Sequence, residues 1–143
     1  MSTVRHFAHA TASTGSAAPA YRVDIRAGAH TLVADEPTSA GGGDAGPSPF
    51  GLLLSALAAC TAMTLRMYAM RKGWELRTIG VDVQANIGDD GRRTIERTIT
   101  VPGELAAEQL QRLAEIAEKT PVTLAVRDGV PITTTFGADS TGA

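Results

Sequence analysis

The chain has 143 residues, 43% of them apolar and 20% charged, which fits one globular domain and excludes a largely disordered polypeptide. A net charge of −2 with 4% aromatic residues leaves neither a basic surface for phosphates nor a platform for base stacking, so nucleic acid is not an expected partner. One cysteine, Cys60, cannot form an internal disulfide, and no basic region followed by an apolar run opens the chain; a reducing, cytoplasmic setting is expected.

Residues 1–18 are rich in Ala, Ser, Thr and His without a sustained period and read as a mobile arm or a weak edge segment. His6 and His9 lie there without a third ligand, so no metal site is expected. From Tyr21 the pattern alternates, with Tyr21, Val23 and Ile25 on one side and Arg22, Asp24 and Arg26 on the other, and Ala27-Gly28 turns the chain into His30 to Ala34. This predicts a β-hairpin. Asp35 to Pro49 carries Pro37, Gly41-Gly42-Gly43, Gly46 and Pro47 and must be a loop. A phosphate-loop reading of the glycine triplet fails, because no Gly-Lys-Ser/Thr follows it.

Ser48 suits a helix N-cap, Pro49 the first helical position and Gly73 the left-handed residue past the end, which predicts a helix from Pro49 to Lys72. Its first two-thirds is apolar nearly all round, so it must be enclosed on several sides. The uncharged run Phe50 to Leu65 falls short of the roughly 20 residues that span a bilayer, and no membrane association is expected. Met63, Met67 and Met70 read as gap-filling packing residues.

Trp74 to Ile87 and Arg92 to Val101 alternate on either side of Gly88-Asp89-Asp90-Gly91, predicting a second hairpin whose apolar row is broken by Arg97. After Pro102-Gly103, Glu104 to Lys119 has helical spacing. Pro121 interrupts it, Val122 to Val126 is short and apolar, and Val130 to Phe136 predicts a last strand. The class is α+β: hairpins wrapped on a long buried helix and a second helix, with an arm at 1–18, a domain at 19–138 and a tail at 139–143. About five short strands cover one side of such a helix and not all of it, so a homodimer with a large apolar interface is expected.

Asp35-Glu36-Pro37, the glycine triplet, Gly46-Pro47-Ser48-Pro49 and Ala56-Leu57-Ala58-Ala59-Cys60-Thr61 are similar to the central signature of the OsmC/Ohr family (osmotically inducible protein C and organic hydroperoxide resistance). The likeness continues through Tyr68 to Trp74 and Ala117-Glu118-Lys119-Thr120-Pro121-Val122. It implies an intertwined homodimer that reduces organic hydroperoxides with two cysteines and no metal or cofactor: a thiolate attacks, becomes a sulfenic acid and condenses with the second thiol.

By the resemblance Cys60 stands at the attacking position, Thr120 replaces the second cysteine, and Phe50 replaces a glutamate that orients an arginine beside the thiolate. That arginine comes from the N-terminal strand region, where Arg22 and Arg26 are both candidates. A threonine cannot close a disulfide, so an external thiol would have to resolve the sulfenic acid. Cys60 has Ala56, Leu57, Met63 and Thr64 at its helical neighbour positions and no cation among them. Phe50, Leu57 and Met63 are candidates, with Thr120, for the wall of an apolar pocket. Two functions follow: a one-cysteine hydroperoxide reductase, or a redox-inactive protein of the same fold that binds a small lipophilic ligand at the dimer interface.

Overall fold

A computed structural model describes residues 3–16, 21–101 and 103–137. Parts of the expected arm (residues 1–2 and 17–18), Pro102 and the expected tail at 139–143 lie outside the described residues. The element order is β1 (Ala10–Thr14), β2 (Val23–Ala27), β3 (His30–Ala34), α1 (Pro49–Lys72), β4 (Gly80–Ile87), β5 (Arg93–Thr100), α2 (Ala107–Ala117) and α3 (Pro121–Asp128), which is the expected α+β class. Two compact units divide the chain, one of Met1–Ala56 with Val83–Glu96, the other of Leu57–Asp82 with Arg97–Ala143.

In the first unit β1, β2 and β3 form an antiparallel sheet in that order. Residues expected as arm or edge thus supply an edge strand, with Ala10 opposite Ala27 and Thr14 opposite Val23. The β2–β3 turn has two residues, since Ala27 pairs with His30, and Gly28 takes φ +58° at its first position, where only glycine is unstrained. Asp35 then organises the glycine-rich loop. Its buried carboxylate accepts from the amides of Glu36 (2.8 Å), Gly43 (3.2 Å) and Ala45 (3.1 Å). A Cβ at Gly42 would collide with the Glu36 carbonyl, and one at Gly46 with the Val33 carbonyl. These glycines serve close backbone approach within the chain.

Helix α1 begins and ends as its sequence dictates. Ser48 Oγ accepts from the Gly51 amide at 3.1 Å, and Pro49 spends no donor at the first position. At the other end Gly73, at φ +70°, donates to the Met70 carbonyl while Trp74 donates to the Ala69 carbonyl, the paired bonds of a Schellman stop. By length and composition the 24-residue helix could cross a membrane, a test that core helices buried in protein also pass. In the second unit, though, its residues Leu57, Thr61, Leu65 and Ala69 are buried at every fourth position, the stripe of a helix packed on protein.

The core of the second unit is Leu65, Ala69, Leu76, Leu113 and Ala117, with Trp74, Tyr68, Ile99 and Ile116 packed against it. Arg66 ties the returning chain to α1 by donating to the carbonyls of Leu76 and Arg77. Two expectations for the C-terminal third are corrected. The segment after Pro121 is a helix, because Thr120 caps it, accepting from the Thr123 amide, and Pro121 sits at its first position. The expected strand Val130 to Phe136 has no strand geometry, and Ile132 and Phe136 stand 88% and 98% exposed. No strand of the chain pairs with it among the described residues. The second helix is also shorter than expected, starting at Ala107, where Gln109 Oε1 accepts from the Ala106 amide at 2.9 Å.

Candidate functional site

Cys60 lies in the middle of α1 and is half-buried. Residues four apart lie on one helical face, so the buried row Leu57, Thr61, Leu65 and Ala69 leaves Met63 and Met67 on the other side of the axis. There Met63, Met67 and Met70 are exposed, at 65%, 54% and 70%. The Cys60 sulfur sits at the margin between the packed and the open faces, 4.0 Å from Thr64 Oγ1. A sulfur in that position is reachable from outside and flanked by apolar surface.

One residue further on, the chain builds a buried polar network within the second unit. Thr61 Oγ1 donates to the Leu57 carbonyl at 2.7 Å and accepts from Arg97 Nη1 at 3.0 Å. The same nitrogen donates to Thr123 Oγ1 at 2.8 Å, and Nη2 donates to the Ala117 carbonyl at 3.1 Å and to Glu118 Oε1 at 3.3 Å. Thr123 Oγ1 is in turn 2.6 Å from Thr120 Oγ1. Arg127 also pairs with the Glu118 carboxylate. Buried hydroxyls and guanidinium donors are thus matched, as burial of polar groups requires.

The residues singled out from sequence fall into different settings. Cys60, Leu57, Met63 and Thr120 belong to the second unit, while Phe50, Arg22 and Arg26 belong to the first. Leu57 is buried and Met63 exposed, so they occupy different faces of α1; Thr120 is wholly buried in the hydroxyl network. Phe50, in the first turn of α1, is exposed. Arg22 reaches the Asp24 carboxylate at 3.4 Å, and Arg26 lies on β2 opposite Thr11 and Thr31. Arg97 was not among the sequence candidates. Its one signal was a charge interrupting the apolar row of Ile95, Ile99 and Val101.

Among the described residues concavities lie within each unit. One of about 570 Å³ lies over the β1–β3 sheet, against Ile25, Leu32 and Arg26; another of about 420 Å³ lies at the end of α1, against Trp74, Leu76, Arg66 and Arg77. Neither includes Cys60. Among the described residues no three His, Cys, Asp or Glu side chains gather as metal ligands would. The Asp35 carboxyl is held below the usual carboxylate range, first by the Ala45 amide; burial opposes this, and the Glu36 and Gly43 amides and Arg22 add to it.

Comparison with curated proteins gives no match. Among solved structures the chain is similar to an organic hydroperoxide resistance protein OsmC from Legionella pneumophila (19% identity, TM-score 0.66, covering 89% of this chain and 93% of that one). It is also similar to an OsmC like protein from Mycoplasma pneumoniae (16%, TM-score 0.66, 87% and 89%). The organic hydroperoxide resistance protein OhrB of Bacillus subtilis is 27% identical, with a TM-score of 0.57 over 85% of this chain and 91% of that one. The model of the family described as OsmC-like protein matches residues 41–135, a span that takes in the glycine triplet, all of α1 with Cys60, strands β4 and β5 and both later helices. The chain therefore belongs to the OsmC-like protein family.

Proposed function

We propose that the chain is a cytoplasmic thiol-dependent reductase of organic hydroperoxides that works with Cys60 alone. The observation that carries this reading is the placement of Cys60: half-buried at the edge of an apolar helix face, in a chain of this family. The Cys60 thiolate attacks the distal peroxide oxygen; the O–O bond breaks, the alkoxide leaves and takes up a proton as the alcohol, and the sulfur becomes a sulfenic acid. An external thiol condenses with it, releasing water and leaving a mixed disulfide, and a second thiol frees Cys60. Cys60 is the one thiol of the chain and the Thr120 hydroxyl cannot form a disulfide, so no internal route exists. The sulfur needs a cation beside it to stay ionised, and Arg22 and Arg26 are the candidates that the family resemblance offers. The apolar flank of α1 beside Cys60, on which Met63 stands exposed, favours alkyl peroxides over hydrogen peroxide.

The working form in this reading is a homodimer. The exposed methionine face of α1 and the unpaired segment from Val130 to Phe136 are the surfaces a second copy would cover, because patches of this kind are uncommon on monomers. The test is to expose the protein to cumene hydroperoxide with a sulfenic-acid trap and weigh it intact. One adduct on Cys60 is expected; no adduct on a folded protein would end the reading.

The engagement of Thr120 in capping and in the Arg97 network favours a second reading, a protein that keeps the fold and binds a small lipophilic ligand without redox chemistry. In that case Cys60→Ala keeps ligand affinity and Leu57→Trp abolishes it. Equal loss in both variants would count against binding without redox chemistry.

A further inference from the structure

Arg97 stands where β5 should present an apolar side chain, and its side chain is only 11% exposed. Burying a guanidinium is costly unless its donors are met, and an apolar residue of similar length would fill the same space without that cost. What the donors meet therefore indicates what the charge is for. They reach Thr61 on α1, the Ala117 carbonyl at the end of α2, Glu118, and Thr123 in the first turn of α3. One planar group spans three helices. The contact on α1 falls on the residue next to Cys60, and Thr61 is itself anchored one turn back by its bond to the Leu57 carbonyl. A guanidinium is rigid and forked, so meeting several acceptors at once fixes the height and rotation of the helix turn it touches.

We propose that Arg97 is a positioning residue for Cys60: by clamping Thr61 to the corner between α2 and α3, it sets where the sulfur stands when a peroxide oxygen arrives. It acts through Thr61 and does not touch the reacting atoms. The turnover part of its test rests on the peroxidase reading above; the exchange part does not.

The test uses the full chain as wild type, Arg97→Gln, Arg97→Lys and Thr61→Val, the last removing the Arg97 bond to α1 together with Thr61's own bond to the Leu57 carbonyl while leaving Arg97 its other partners, should the glutamine variant fail to fold. Hydrogen exchange is expected to quicken about tenfold at residues 58–64 in Arg97→Gln and Thr61→Val, while residues 66–72 stay within about twofold, because local opening is set by local contacts. With cumene hydroperoxide, kcat should fall about tenfold or more with KM within about twofold, the signature of a misplaced reacting group, and Arg97→Lys should recover part of the loss. Exchange that rises uniformly along α1, or wild-type exchange in both folded variants, would overturn the proposal. Local quickening without any wild-type turnover would uphold the clamp and count against the peroxidase reading instead.

Discussion

At the scale of single residues, several polar side chains are buried with their partners in place. Asp35 accepts three amide hydrogen bonds that close the glycine-rich loop, and these bonds favour its charged form. A carboxyl whose folded pKa is depressed contributes stability that is present above its unfolded value and lost as pH falls through the folded value. Asp35→Asn should therefore lower the melting temperature at pH 7, and the gap from wild type should narrow below about pH 4. Thermal melts at pH 7 and pH 3 check this, and an equal gap at both would contradict it. Arg97 shows what a sequence withholds at this scale. A charge in an apolar row announces an exception, but its four partners come from positions 20 to 36 residues away in the chain, and only folding brings them together. The helical setting of Cys60 was legible because its neighbours in the chain are also its neighbours on the helix.

At the scale of elements, legibility followed locality. Helix α1 was readable to the residue at both ends, since Ser48, Pro49 and Gly73 act on the backbone within a few positions of themselves. Both hairpins were readable for the same reason. What failed was the step after Pro121: a proline after a helix reads as an interruption, yet with a threonine before it the same residue opens a new helix. Thr120→Ala should remove that cap and the hydroxyl 2.6 Å from Thr123, costing about 1 to 2 kcal/mol in urea unfolding. A loss below about 0.3 kcal/mol would mean that α3 is held by other contacts. Val130 to Phe136 failed differently. Its period-two pattern and threonine content are strand-like, but a strand exists only with a neighbour, and none of the described strands of this chain pairs with it.

At the scale of the whole molecule, α1 carries two apolar faces and its own chain buries only one. The sequence argument for a second copy was a count of strands against helix surface; among the described residues Met63, Met67 and Met70 of α1 stand exposed. In the proposed homodimer this methionine face is the seam, and Met67→Asp should place a carboxylate on it and shift the protein from dimer toward monomer in light scattering at micromolar concentration. A wild type that is monomeric there, or a variant that stays dimeric, would mean the seam is not the interface. The central claim is chemical and concerns Cys60. Its most direct test is the rate of cumene hydroperoxide consumption with a dithiol reductant in excess, for wild type and Cys60→Ser side by side. Steady turnover by the wild type, faster than with hydrogen peroxide and absent in the serine variant, is the predicted result; equal rates in the two proteins would contradict the account.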